Sequence, residues 1–270
     1  MEWKNIFRGF VMGISDLIPG VSGGTLAVVL GIYDQLLESI SGVFSKDWKR
    51  HVSFLFPLGV GVGLALVLLS KLIEYLLEYH YEPTQFFFIG LIIGVIPLIT
   101  KRANVRQNFK MSHILVLLLA ALLVASMAFT KPDKSADPIT TLTLLTVLGL
   151  FFSGWLASMA MLLPGISGSF VLLLLGVYPT AIYALSNFDL PIIATIGAGV
   201  IAGFVSSSKG ISYMLKHYPH VTHAVILGLI IGSVFVVFPG VVSGLQLIIS
   251  VVTLVVGFVT AVALGSTAKN

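Results

Sequence analysis

Ten apolar runs, set apart by short polar stretches, organise the chain. They lie near residues 5–18, 24–41, 54–77, 84–100 and 112–130, and again near 141–163, 169–186, 190–208, 221–238 and 245–265. A bilayer-spanning helix needs ~20 predominantly apolar residues, so most of these runs predict spans, while 5–18 is too short to cross. In each set of five, a Pro-Gly pair lies between the first two runs, at Pro19-Gly20 and Pro164-Gly165. Proline and glycine break helices, so each first pair predicts a helical hairpin that enters and leaves on the same side. Three full spans then follow in each set. The expectation is an all-α membrane protein forming one integral membrane domain over 1–270.

The two sets are copies. Pro19-Gly20-Val21-Ser22-Gly23 recurs as Pro164-Gly165-Ile166-Ser167-Gly168, and the same 145-position shift pairs Gly9 with Gly154, Gly31 with Gly176 and Tyr33 with Tyr178. Gly90-Leu91-Ile92-Ile93-Gly94 recurs unchanged at 228–232, a shift of 138 that also pairs Gly61 with Gly199, Lys71 with Lys209 and Tyr75 with Tyr213. Repeat 1 covers about 1–132 and repeat 2 about 138–270. An odd number of crossings per copy turns the second upside down, the inverted-repeat plan of many transporters.

Composition agrees with a membrane protein. Apolar residues make up 57% of the chain and charged residues 10%, against about 25% charge in soluble domains, and the mean hydropathy is +1.05. Lys4 and Arg8 precede the first run as in a signal peptide, but Asp16 and the Pro19-Gly20 turn interrupt it, so it reads as mature structure. A pI near 9.3 raises the question of nucleic acid. The basic residues sit in short loops and form no reading face, which excludes that class. With the N-terminus inside, twelve Lys or Arg fall inside and two, Lys131 and Lys134, outside, with Lys71 unassigned. Both termini are then cytoplasmic. Treating each hairpin as one broken span would put Lys46, Lys49 and Arg50 outside, against the positive-inside bias.

The candidate chemistry lies at the two turns. Pro19, Gly20, Ser22, Gly23, Gly24 and Thr25 in the first copy, and Pro164, Gly165, Ser167, Gly168 and Ser169 in the second, combine irregular backbone with hydroxyls at the start of a helix. Free N–H groups and a positive helix end favour an anion such as phosphate, and inverted copies would bring two such ends towards one cavity. The alternative reading of each turn is a packing kink between helices, and the repetition of the motif favours the functional one. Asp16 is a costly intramembrane carboxylate whose counterpart is the apolar Met161, so the fold unit does not require it. It reads as a polar anchor, a proton carrier or a local cap. Lys71 and Lys209 would neutralise an anionic ligand, or else snorkel to the interface. Glu74 and Glu78 pair with Lys71 along one helix. His217, His220 and His223 lack a Cys or carboxylate to complete a metal site, and no cysteine exists for disulfides. No cofactor is expected. Coupling to protons or sodium and the oligomeric state stay open.

The stretch Gly9 to Tyr33, with Asp16-Leu17-Ile18-Pro19-Gly20-Val21-Ser22-Gly23-Gly24-Thr25 and Leu30-Gly31-Ile32-Tyr33, resembles the PopT family of bacterial polyprenyl-phosphate transporters. Leu163 to Phe170 followed by Leu174-Leu175-Gly176-Val177-Tyr178 is similar to that family's second signature. The resemblance covers essentially the whole chain. It implies movement of undecaprenyl phosphate from the outer to the cytoplasmic leaflet of the plasma membrane, with membrane lipids as the other partners. BacA-type undecaprenyl-pyrophosphate phosphatases share the inverted hairpins but continue their turn with Arg-Ser and add a glutamate-rich helix. Gly23-Gly24 and Gly168-Ser169 stand at those positions here, without an arginine to clamp a transferring phosphoryl group. An ion channel or anion exchanger remains the other alternative.

Overall fold

Backbone N–H and C=O groups inside a bilayer find partners only in one another, so a chain this apolar closes them into helices. The computed structural model describes residues 2–17, 21–130 and 138–267, and among these it holds thirteen α-helices, one 3₁₀ turn and no strand. The first copy comprises α1 (Lys4–Asp16), α2 (Gly23–Val29), α3 (Tyr33–Gly42), α4 (Trp48–Tyr79), α5 (Tyr81–Arg102), the short α6 (Val105–Asn108) and α7 (Met111–Ser126). The second comprises α8 (Leu144–Leu162), α9 (Gly168–Leu174), α10 (Tyr178–Asn187), α11 (Leu190–His217), α12 (Pro219–Val237) and α13 (Leu245–Thr267).

Among the described residues seven helices are long and apolar enough to cross a membrane: α4, α5, α7 with its 3₁₀ extension to Phe129, α8, α11, α12 and α13. The six expected full spans are among them. At 1.5 Å per residue the 13 residues of α1 reach only about 20 Å, short of the ~30 Å hydrocarbon core. The 19 residues of its counterpart α8 reach about 28 Å, so the first limbs of the two hairpins differ in length.

One expectation changes. The runs 24–41 and 169–186 are not single helices; each breaks into two short ones, and α9 and α10 meet at 110°. The cause is a glycine in the left-handed region, Gly31 at φ 68° and Gly176 at φ 69°. Gly31 N–H donates to Val28 and Ile32 N–H to Ala27, while Gly176 N–H donates to Leu173 and Val177 N–H to Leu172. Each is a Schellman C-cap, which satisfies the last carbonyls and turns the chain away.

Equivalent helices have equivalent neighbours. The most extensive packing joins α1 to α4 and α8 to α11 within each half, and α5 to α13 and α7 to α12 between halves. Without a hydrophobic driving force in lipid, close helix approach rests on small residues. A Cβ at Gly9 or Gly61 would meet the backbone of Leu58 or Ile6, and one at Gly154 or Gly199 that of Ile196 or Phe151. The identical 90–94 and 228–232 blocks have the same use: Gly90 faces the Leu254 carbonyl, Gly228 that of Leu117. The turns between long helices also repeat. Thr84 Oγ1 donates to His80 O at 2.7 Å, and Thr222 Oγ1 to Tyr218 O at 2.8 Å.

Candidate functional site

The first turn is described from Val21 onward; Pro19 and Gly20 lie outside the described residues. Ser22 is extended, at φ −118° and ψ 131°, and starts α2 as its N-cap, its hydroxyl accepting from Gly24 N–H at 3.2 Å. Asp16, at the end of α1, turns its carboxylate onto the same helix start and accepts from Gly23 N–H at 2.9 Å. The first donors of α2 are therefore engaged, where the sequence suggested free ones. With α2 and α9 only seven residues each, the helix dipole contributes little, and hydroxyls and individual N–H groups carry the polarity.

The second turn, Leu163 to Ser167, is fully described, and it meets the first. Thr25 Oγ1 accepts from Gly165 N–H at 2.9 Å. Tyr33 O–H donates to Leu162 O at 2.9 Å, and Ser22 Oγ lies 3.4 Å from Leu163 O and 3.5 Å from Met161 O. Gly165 has φ +91° and a backbone so close to Leu229 that a side chain there would be doubly opposed. Gly24 lies near the carbonyls of Met161 and Leu162, about the separation at which a methyl would begin to crowd them. Pro164, Gly165, Ser167 and Gly168 are buried, and Ser167 Oγ shares a hydrogen bond with Ser169 Oγ at 2.9 Å, on the exposed edge of the turn. The Ser167 side chain accepts no capping bond from α9, in contrast to Ser22. A Cβ at Gly23 would come 2.8 Å from the Asp16 carboxylate, and one at Gly168 would come 2.7 Å from the Ala157 carbonyl. These two glycines seat the turns against their neighbours.

A family model described as undecaprenyl phosphate translocase-like matches residues 12–250. The chain belongs to that family. A polyprenyl-phosphate transporter of Staphylococcus aureus (strain NCTC 8325 / PS 47) is 45% identical over 278 aligned positions, covering 100% of this chain and 98% of the relative. A second, from Vibrio cholerae serotype O1, is 36% identical over 245 positions, covering 86% and 76%. No solved structure matches the chain.

In this member of the translocase-like family, Lys71 and Lys209 are exposed near the ends of α4 and α11 and hydrogen-bond to neither turn. Among the described residues no arginine or lysine side chain bonds to a turn, and no group of three His, Asp or Glu side chains could hold a metal. His217 stacks on Tyr213, His220 lies by His113, and His223 engages Pro219 O. Tyr33 stands out in the sequence through its repeat match with Tyr178 and its place in the first signature, but neither signal pointed to the bond that its hydroxyl makes.

The two halves differ at the helix after each turn. α3 packs on α11 of the other half and with it encloses a charged cavity of about 500 Å³ lined by Asp34, Glu38, Arg102, Lys216 and His223. Arg102 pairs with Asp34, and Arg50 with Glu38 at 3.6 Å. α10 packs on α9 and α11, and the described residues give it no comparable seat on α4. Leu37 is 0% exposed, whereas its counterpart Ile182 is 46% exposed.

Proposed function

We propose that the chain carries polyprenyl phosphate, undecaprenyl phosphate in particular, from the outer to the cytoplasmic leaflet of the bacterial plasma membrane, returning the carrier lipid for envelope glycan synthesis. Relatives named polyprenyl-phosphate transporters support the substrate. The observation that carries the reading at this chain's own residues is the contact between the two signature turns, Thr25 to Gly165 and Ser22 and Tyr33 to residues 161–163.

Bare burial of a phosphate's charge costs on the order of tens of kcal/mol, so the head needs fixed polar partners at membrane depth. Ser22, Thr25, Ser167 and Ser169 supply hydroxyls there, and Gly23, Gly24 and Gly168 supply N–H groups. Pro164 and Gly165 shape the backbone of the second turn, and Pro19 and Gly20 are their sequence counterparts in the first. An arriving phosphate competes with Asp16 for Gly23 N–H, and loss of the Asp16 charge to a proton or sodium ion is the step through which transport would be coupled. Lys71 and Lys209 act at the span ends, drawing the anionic head towards the protein. With no basic clamp at either turn among the described residues, the site suits holding a phosphate better than cleaving one.

In this reading each hairpin is re-entrant and the second half is inverted, as the charge bias of the loops favours. Alternating access would use the unequal halves: α3 is seated on α11 while α10 has no comparable seat on α4 among the described residues, and the opposite state seats α10 on α4 and releases α3. The test is reconstitution. In proteoliposomes the purified protein should speed loss of a phosphate-labelled polyprenyl lipid from one leaflet. Release of inorganic phosphate from the pyrophosphate form, without lipid movement, would replace this reading with a phosphatase.

A further inference from the structure

Two apolar cavities in the transmembrane bundle are repeats of each other. The first, about 600 Å³, is lined by Ile14, Ile73, Leu76, Thr84, Phe87 and Phe88 together with the start of α13. The second, about 370 Å³, is lined by Met159, Ile211, Met214, Thr222, Val225 and Ile226 together with Trp155 and Ser207. Ile14 and Met159 are counterparts at the 145 shift, and the other five pairs are counterparts at the 138 shift. An accidental packing gap has no reason to recur at six matched positions, four of which carry different side chains.

Each cavity lies between the helix that leads into a signature turn and the end of a span. The inner wall of the first is Ile14, two residues before Asp16, and its far end is Tyr79 and His80, where α4 meets α5. The second begins at Leu163, whose carbonyl lies 3.4 Å from Ser22 Oγ, and ends at Met214 and Thr222, where α11 meets α12. The walls are mainly apolar, with His80, Gln246 and Thr253 the further polar side chains of the first and Ser206 and Ser207 those of the second. Thr84 and Thr222 each donate their hydroxyl to a backbone carbonyl. Ser207 Oγ, buried in the second cavity's wall, has no hydrogen-bond partner.

We infer that these are two equivalent sites for the isoprenoid chain of the polyprenyl phosphate, one in each half of the membrane. This rests on the proposed function and on the inverted arrangement, which sets the α4–α5 end at the outer surface and the α11–α12 end at the cytoplasmic one. The chain lies in the first cavity while the head is on the outer side of the paired turns. It passes to the second when the head has crossed, so the tail stays against apolar walls throughout. Volumes of this size, apolar and partly open between spans, suit one segment of a flexible hydrocarbon.

The test has two readouts. A polyprenyl phosphate with a diazirine on its isoprenoid chain, photolysed in proteoliposomes, should label Ile14 or Phe88 and Met159 or Ile226. Excess unlabelled polyprenyl phosphate should displace the label, and phosphatidylglycerol should not. Labelling no stronger than at the lipid-facing Leu122 (66% exposed), or displaced equally by phosphatidylglycerol, would overturn the inference. Gly210→Trp projects into the second cavity from a position with nothing within 4 Å of a new Cβ. It should slow transport of the full-length lipid at least tenfold and leave a ten-carbon prenyl phosphate within twofold, with Gly197→Trp, equally open, as the control. Equal slowing of both lipids by Gly210→Trp would also sink the chain site. Absence of transport by the unaltered protein would count against the transport reading alone, because photolabelling decides the cavities without it.

Discussion

Gly165 and Thr25 are joined across 140 positions of sequence by one buried hydrogen bond, the glycine N–H donating to the threonine hydroxyl oxygen at 2.9 Å. Thr25→Val keeps the shape of the side chain and removes the acceptor. The stranded N–H should cost about 1–3 kcal/mol. Thermal unfolding in detergent should fall for Thr25→Val and recover in Thr25→Ser, with transport following the same order. Unchanged stability in Thr25→Val would mean that the turns do not depend on each other.

Asp16→Asn retains an oxygen that can accept from Gly23 N–H, so the start of α2 stays capped. The variant should insert and unfold like the wild type while transporting at least tenfold more slowly, because the titratable charge beside the turn is gone. Wild-type transport by Asp16→Asn would reduce the residue to a helix cap.

The sequence contains no cysteine, so engineered pairs report cleanly on the unequal halves. Ser41 and Ser212 line the cavity between α3 and α11, and their repeat counterparts are Ser186 and Glu74. Ser41→Cys with Ser212→Cys should be bridged by a short bifunctional thiol reagent, and bridging should stop transport. Ser186→Cys with Glu74→Cys should be bridged only while the protein is cycling with lipid. Bridging of both pairs in a single arrested molecule would rule out alternation between them.

Gly90→Ala places a methyl against the Leu254 carbonyl and should destabilise the α5–α13 contact by about 1–3 kcal/mol. Gly59→Ala, on α4 with nothing within 4 Å, should be neutral or mildly stabilising because alanine favours a helix. Detergent stability and membrane protein level measure both. Equal loss in the two variants would show that helix packing does not depend on the repeated glycines.

Single-cysteine probes check the proposed topology. A membrane-impermeant thiol reagent applied outside should reach Tyr81→Cys and spare Lys49→Cys and Arg106→Cys, all at exposed positions. Reaction at Lys49→Cys from outside would overturn the re-entrant first hairpin.

The spans and the repeat were legible because both are written in one dimension: apolar run length, and identical residues at constant shifts. The partners of the spans were not. α7, α12 and α13 are apolar on every face, so their sequences gave no side to prefer, and the choice of α5 for α13 rests on which glycines meet which backbones. At the turns, sequence picked out Ser22, Thr25 and Gly165 but placed them side by side as anion donors, whereas much of their capacity is spent on each other. The Asp16 carboxylate on Gly23 N–H was hidden for a related reason. It joins the end of α1 to the start of α2, a contact that no periodicity describes.

The crosswise pairing of α5 with α13 and of α7 with α12 also bears on how the protein is made. Ribosomes deliver α5 long before α13, so its glycine face must wait in the insertion apparatus or the lipid until the last helix arrives. Completion of the first half is thus postponed to the end of translation, and a nascent chain stopped before Leu245 would expose an unmated groove that marks it for quality control. In the proposed inverted arrangement, an ancestor with a single copy would have met the same requirement by exchanging its final helix with a second, oppositely inserted subunit. Gene fusion would then have turned that exchange between molecules into one within a single chain.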